Sequence, residues 1–214
     1  FANELPDLGD YSETIIGAHE EAIIGSQILQ QVQQSDTVIH DVEIEDYLYN
    51  LTNKLVRSSD YSGSGLTFFL VNDSSINAFA MLGGVIGIHT GLILSANSES
   101  ELASVLSHEI AHITQRHIAR LVSKLQKDSF KSYLGLGLAL LLARSNPELA
   151  KGALMASQAL GVQTILDFTR DNEKEADRVG IKILHKAGFD TRGSIDFFKT
   201  LQKGNPYSIG AAPS

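Results

Sequence analysis

A long amphipathic pattern over residues 98–127 predicts one continuous helix near the centre of the fold. Its apolar residues recur at intervals of three or four, which is typical of one buried helical face; they are Leu102, Leu106, Ile110 and Ile113. Ser98 and Glu101 have the spacing of a capping box, so we expect the helix to begin at Ser98.

The remaining hydrophobic and polar positions predict further helices and a few short strands. Apolar positions on one helical face cover residues 14–34, 42–57, 91–96, 149–168, 171–187 and 191–203. Short apolar runs predict strands at 66–71, 76–80 and 85–89, with Gly83-Gly84 as a tight turn between the last two. The pattern therefore indicates a mostly helical chain with a small β-sheet.

Residues 133–143 are almost wholly apolar. As a helix this stretch would reach only about 16 Å, which is short of the roughly 30 Å hydrocarbon core of a bilayer. Two interpretations stay open: a buried helix or helical hairpin with Asn146-Pro147 at its tip, or a hairpin that contacts a membrane surface or a partner protein.

Composition narrows the classes of function. The chain has 214 residues, which is enough for one domain with a sizeable core. Its formal net charge is −8, and an acidic chain lacks the basic footprint of a nucleic-acid-binding protein. It contains no cysteine, so a zinc site would have to use histidines and carboxylates.

The candidate chemistry lies in His108-Glu109-Ile110-Ala111-His112, an H-E-x-x-H within the predicted central helix. Residues four apart lie on one helical face, so His108 and His112 can point both imidazoles at one zinc ion. Glu109 stands beside them, where its carboxylate can act as a general base toward water. Arg116 and His117 follow the motif, but a histidine on a continuing helix is more often a packed group, so neither is assigned a catalytic role.

A hydrolytic zinc site usually has three protein ligands, so the third is expected from another element. The best candidate is Glu173, in Asn172-Glu173-Lys174-Glu175-Ala176-Asp177. Asp177 follows Glu173 by one helical turn, where it can accept a hydrogen bond from the free ring nitrogen of His108 or His112. Glu175 is the competing carboxylate, but it faces away from Asp177, and we expect it to be solvated.

These two motifs together resemble the H-E-x-x-H and E-x-x-A-D pair of the HtpX and CAAX-prenyl-protease superfamily of zinc metallopeptidases. Asn77-Ala78-Phe79-Ala80, followed by Gly83-Gly84, resembles the strand that precedes the zinc helix in that family. The resemblance implies an α+β, mostly helical, gluzincin-like fold whose small β-sheet packs on the H-E-x-x-H helix. It further implies one Zn2+ per chain with Glu173 as third ligand, and an edge strand near Asn77, Ala78 and Phe79 that holds the substrate backbone.

Over essentially its whole length the chain is similar to a periplasmic branch of this superfamily whose members assist β-barrel assembly. The resemblance implies a zinc endopeptidase of the bacterial periplasm that degrades misfolded or stalled outer-membrane proteins. It also implies a linked chaperone role, with the β-barrel assembly machinery as a partner. The alternative is a chaperone or binding module with a latent protease site; a purely structural zinc site is less favoured, because Glu109 stands beside the ligands.

Proteins of this branch also carry a C-terminal tetratricopeptide domain and a histidine that can cap the zinc, and neither is present in this sequence. We therefore expect an isolated zinc metalloprotease domain over residues 1–204. Residues 205–214 are expected to form a disordered tail.

Overall fold

The computed structural model describes residues 17–63, 65–124 and 162–204. Its helices are α1 (Ala18–Gln33), α2 (Val42–Arg57), α3 (Thr90–Ser95), α4 (Glu99–Thr114), α5 (His117–Lys124), α6 (Val162–Lys186) and α7 (Arg192–Gly204). Its strands are β1 (Val38–Ile39), β2 (Thr67–Val71), β3 (Ala78–Met81) and β4 (Val85–His89). The predicted α+β, mostly helical fold is confirmed; the stretch at 133–143 and the tail at 205–214 lie outside the described residues.

The strands form one mixed sheet in the order β1-β2-β4-β3. β2 and β4 are parallel, whereas β1 and β3 each pair antiparallel with their neighbour. Gly83 and Gly84 form the turn between β3 and β4, and both have φ of 77°, a conformation that glycine adopts without steric cost. The hairpin that this turn creates leaves β3 at one edge of the sheet.

α4 forms the centre of the core, as its apolar periodicity predicts. Leu106 and Ile110 are completely buried, in a cluster with residues of α2, β4 and α6. Ser98 Oγ accepts a hydrogen bond from Glu101 N at 3.2 Å, so the predicted N-cap is confirmed. The core thereby fixes the helix that carries the H-E-x-x-H.

The predicted single helix over residues 98–127 is wrong at its middle. α4 ends at Thr114 and α5 begins at His117. Between them Arg116 has φ of 52°, the one non-glycine residue with positive φ among the described residues. A residue in the left-handed region ends an α-helix, so the chain changes direction directly after the motif.

The predicted start of the following helix at residue 171 is also wrong, because α6 runs without interruption from Val162 to Lys186. α6 lies very close to α4: a Cβ on Gly180 would stand 3.1 Å from His108 Cα. Gly188, with φ of 80°, follows the end of α6, as predicted for its C-cap. The absence of a side chain at Gly180 allows α6 to bring its carboxylates to the histidines of α4.

Within the described ranges, none of the helices combines the length and the apolar character needed to cross a membrane.

Candidate metal centre

The two histidines of the motif lie one turn apart on α4 and face the same point. His108 Nε2 and His112 Nε2 are 3.0 Å apart, and their ring centroids are 4.7 Å apart. His112 is buried, while the His108 side chain is 18% exposed. The site is therefore reached from the side of His108.

Glu173 of α6 meets both imidazoles. Its Oε2 lies 3.4 Å from His108 Nε2, and its Oε1 lies 3.5 Å from His112 Nε2. A tetrahedral zinc ion with ligand bonds of about 2.0–2.2 Å separates neighbouring ligand atoms by roughly 3.3 Å. The three side chains thus have the donor types and spacing of a metal site, and their ligand atoms lie within 4.8 Å of one another.

Asp177 lies behind His108, one turn along α6 from Glu173. Its Oδ1 is 2.9 Å from His108 Nδ1, as expected for an acceptor that orients a ligand. Burial alone would lower the pKa of His108, but hydrogen bonds to Asp177 and Glu173 outweigh it and raise the pKa to about 9. In the metal-free protein the two carboxylates therefore hold a proton on this imidazole at neutral pH.

Glu109 connects the site to the sheet edge. Its Oε2 accepts a hydrogen bond of 2.9 Å from the backbone N–H of Ala80 in β3, and the residue is 6% exposed. This contact holds the carboxylate between α4 and β3. A buried carboxylate in that position can exchange a proton with a group bound beside the strand.

The substrate-strand candidates differ in the direction of their backbone groups. Asn77 O accepts a hydrogen bond from His89 N at 3.0 Å, so it faces β4. In an antiparallel pair the backbone N–H and C=O groups of successive residues point alternately toward and away from the neighbouring strand. Ala78 and Ala80 therefore present their N–H and C=O groups away from β4. The Phe79 ring lies over Gly87 and packs edge-on to Phe69, so it anchors the strand to the sheet.

His117 has no role that its position in the sequence predicts, yet in the structure this residue contacts His112. Its Nδ1 lies 3.0 Å from His112 Nδ1, and its Nε2 lies 3.0 Å from Glu175 Oε2. Burial is the main cause that lowers the pKa of His117, and it outweighs the opposing effect of Glu175. Both ring nitrogens are engaged with protein groups, which argues against a direct contact with substrate.

The expectation that Glu175 is solvated is wrong. Its Oε2 accepts a hydrogen bond from Arg120 at 3.1 Å as well as meeting His117. Burial would raise the pKa of Glu175, but the hydrogen bonds from His117 and Arg120 outweigh it, and the pKa is lowered. Glu175 is therefore an ionised part of a network behind His112.

Arg116 has a structural partner on α1. Its Nε donates to Glu21 Oε1 at 2.9 Å, and Nη2 donates to the same oxygen. The pairing holds the left-handed residue between α4 and α5 against the N-terminal helix. No signal in the sequence connects these two residues, which lie far apart along the chain.

Comparisons with known proteins agree with this geometry. The family described as Peptidase family M48 matches residues 44–209. A protein of Vibrio cholerae is 41% identical over 98% of this chain and 43% of its own length, and one of Yersinia pestis is 36% identical over 95% of this chain and 42% of its own length. Both carry the name beta-barrel assembly-enhancing protease, provisionally so in Vibrio.

A more distant relative is a mitochondrial metalloendopeptidase of Arabidopsis thaliana, 27% identical over 98% of this chain and 41% of its own length. The chain thus spans less than half the length of these relatives. The match covers most of the chain, including the H-E-x-x-H, Glu173 and Asp177. The chain therefore belongs to peptidase family M48.

Proposed function

We propose that this chain is the catalytic domain of a zinc-dependent endopeptidase. The observation that carries the proposal is the convergence of His108, His112 and Glu173 from two helices, with the buried Glu109 beside them. Two imidazoles and one carboxylate are a ligand set of hydrolytic zinc sites, which keep a further position for water or substrate. When bound there, zinc polarises the scissile carbonyl and makes a water molecule acidic enough to react near neutral pH.

Glu109 acts as the proton carrier of the reaction. It accepts a proton from the attacking water, whose oxygen adds to the carbonyl carbon of the peptide bond. It then delivers that proton to the amide nitrogen as the carbon–nitrogen bond breaks, so the products are a carboxylic acid and an amine, which ionise to a carboxylate and an ammonium group near neutral pH. The Ala80 N–H, 2.9 Å from Glu109 Oε2, keeps the carboxylate oriented toward the peptide.

The substrate lies extended along β3. Ala78 directs its backbone groups away from β4 and toward the side on which Glu109 meets the strand. An extended peptide can pair with such an edge by backbone hydrogen bonds, which is β-augmentation. This mode of binding selects chains that are locally unfolded, because a folded segment cannot present a free strand.

The names of the relatives support a particular class of substrate. Proteins called beta-barrel assembly-enhancing protease match 95% or more of this chain. By analogy the substrates are misfolded or stalled outer-membrane proteins in the periplasm. A linked chaperone role and contact with the β-barrel assembly machinery belong to the same proposal and concern the longer protein.

The substitution Glu109→Gln tests the catalytic assignment. Because Glu109 carries protons and does not bind the metal, the variant should keep one zinc per chain while its cleavage of unfolded casein falls about 10²–10⁴-fold. A chelator should abolish cleavage by the unchanged protein. Metal content and peptide release are measured on the same samples.

Glu99→Gln is the matched control, because Glu99 lies in the first turn of the same helix and contacts Tyr47 at the surface. It should cleave at the unchanged rate. Casein cleavage by Glu109→Gln at the rate of the unchanged protein would contradict the proposed role. If the unchanged protein binds unfolded clients without cleaving them, the binding-module interpretation is correct.

A further inference from the structure

Behind His112 lies a chain of polar side chains contributed by two other helices. His117 and Arg120 come from α5, and Glu175 comes from α6. His112 Nδ1 meets His117 Nδ1 at 3.0 Å, His117 Nε2 meets Glu175 Oε2 at 3.0 Å, and Arg120 donates to the same oxygen at 3.1 Å. Each contact has hydrogen-bonding distance, so the four side chains form one continuous line that ends at the ring of His112.

The positions of the hydrogens along this line follow from the Glu175 carboxylate, which accepts a hydrogen bond from Arg120. A carboxylate that also accepts from Arg120 is an acceptor only, so the nitrogen of His117 that faces Glu175 must carry a hydrogen. In a neutral imidazole the other nitrogen then presents a lone pair. His117 Nδ1 therefore accepts, and His112 Nδ1 must donate to it.

This arrangement determines which atom of His112 can bind a metal. With its hydrogen on Nδ1, the neutral ring has its lone pair on Nε2, the atom that faces His108 and Glu173. The opposite tautomer would place a hydrogen in the centre of the site and would set two lone pairs against each other at His117. The network thus favours the one form of His112 that can act as a ligand.

The turn between α4 and α5 makes the contact possible. On an uninterrupted helix, five residues correspond to about 500°, so His117 would point roughly 140° away from His112. Arg116, with φ of 52°, breaks the helix and returns His117 to His112, leaving the ring centroids 4.9 Å apart. Arg116 is itself held by Glu21 of α1.

We infer that His117 is a positioning residue for the metal ligand His112, and that Glu175 and Arg120 fix the hydrogen-bonding direction of His117. The inference rests on the proposed function, since it assumes that His112 binds zinc. His108 and His112 then depend on different supports: a single carboxylate, Asp177, stands behind the first, and this three-residue network stands behind the second.

Zinc binding by substituted proteins tests the inference. His117→Leu removes both the acceptor for His112 and the donor for Glu175, so we expect zinc to bind about 10–100-fold more weakly. His117→Gln offers an oxygen acceptor and an N–H donor in a chain of similar reach, so it should recover most of the affinity. The affinity is measured by competition with a chromophoric chelator, and the fold of each variant is checked by circular dichroism without metal.

A second variant leaves the buried histidine in place. Glu175→Ala removes the group that directs His117, and alanine is well tolerated in a helix; zinc should again bind more weakly. Asp171→Ala is the matched control, because it removes the same charge from an exposed site of α6, where Asp171 pairs with Lys174. It should leave the zinc affinity unchanged.

Nitrogen-15 chemical shifts of the histidine rings separate a directing role from simple packing. In the metal-free protein, neutral His112 should carry its hydrogen on Nδ1, and the fraction of this tautomer should fall in Glu175→Ala. An unprotonated His112 Nδ1, or zinc affinities of His117→Leu and Glu175→Ala that equal the affinity of the unchanged protein, would overturn the inference. If His112→Ala still binds zinc as tightly as the unchanged protein, the proposed function itself fails, which is a different outcome.

Discussion

At the scale of single residues, the two histidines of the motif meet unlike groups behind their rings. His108 Nδ1 faces the carboxylate of Asp177, whereas His112 Nδ1 faces the imidazole of His117. A carboxylate stabilises a protonated imidazole, and a neutral imidazole does so far less. In the metal-free protein His108 is therefore the ring with the raised pKa, and it must lose its proton when a metal binds.

The raised pKa of His108 predicts that the metal-free protein loses stability as the pH rises. The pKa is about 9 in the folded protein, against an ordinary value of 6.5. The resulting stabilisation is fully present below pH 6.5 and is lost as the pH rises through about 9. The loss amounts to at most about 3 kcal/mol of unfolding free energy. Urea unfolding in the presence of a chelator, repeated between about pH 6 and pH 10, measures this loss.

Asp177→Asn tests whether this acceptor causes the effect. The variant removes the negative charge of Asp177 beside His108, so the unfolding free energy of the variant should change less across the same pH range. Asp190→Asn is the control, because Asp190 is an exposed aspartate that pairs with Arg192. A slope in Asp177→Asn equal to that of the unchanged protein would show that a different group takes up the proton.

At the scale of elements, the distance between α4 and α6 determines whether the site can form. Glu173, Ala176, Asp177 and Gly180 lie on the face of α6 that packs against α4, and Ala176 is fully buried. Small residues at 176 and 180 let the helices approach, while the two carboxylates reach His108. The proposed ligand Glu173, the proposed orienting group Asp177 and the small residues that let the helices pack therefore share one face of α6.

Gly180→Val should weaken both the fold and the metal site. Even a Cβ at this position would lie 3.1 Å from His108 Cα and 3.1 Å from His108 N, and backbone atoms cannot turn aside as a side chain can. Overpacking of this kind costs about 1–3 kcal/mol, and it moves Glu173 away from the histidines. Urea unfolding and zinc competition measure the two effects.

Gly17→Val is the control for this substitution, since a Cβ on Gly17 would meet nothing within 4 Å. It should leave zinc binding unchanged. Zinc affinity that is equal in Gly180→Val and the unchanged protein would show that α6 can shift without loss of the site.

The elements also show what the sequence could predict. The periodic patterns of α2 and β4 gave correct bounds, because apolar spacing and turn residues agree there. The break after α4 could not be predicted, since neither Gln115 nor Arg116 is a glycine or a proline, and the Glu21 that pairs with Arg116 lies far away in the sequence. β1 has only two residues, too few to produce a pattern.

Among the side chains of the site, too, local spacing is predictable and contacts between distant residues are not. Spacing within α4 predicts that His108 and His112 face one point, the family resemblance implies Glu173 as the third ligand, and the structure brings the three ligand atoms together. The sequence does not predict the contact between His117 and Glu175, because this contact depends on the turn at Arg116, which brings α5 against α6. Spacing along a helix predicts one face of that helix, but it cannot predict contacts created by a break.

At the scale of the whole molecule, the candidate metal centre brings together two helices from distant parts of the chain. α4 carries the histidines in the main core, and α6 carries Glu173 from the C-terminal part of the described chain. α1 contacts the C-terminal end of α4 through the Glu21–Arg116 pair. It also lies close to the turn between β3 and β4, where Gly25 approaches Gly83. A metal ion that bridges α4 and α6 should therefore stabilise the tertiary structure as well as supply chemistry.

Removal of the metal should lower the melting temperature of the protein. A ligand that binds only the folded state adds about 2.7 kcal/mol to the unfolding free energy at a concentration 100 times its dissociation constant, which corresponds to roughly 5–10 °C for a chain of this size. Glu173→Gln should lose most of this difference, because it removes the ligand that α6 supplies. Glu109→Gln makes the same chemical change at a residue that does not bind the metal, so it should keep the full difference. Calorimetric scans with zinc and with chelator compare the three proteins, and an equal zinc-induced shift in Glu173→Gln would contradict a site that bridges the two helices.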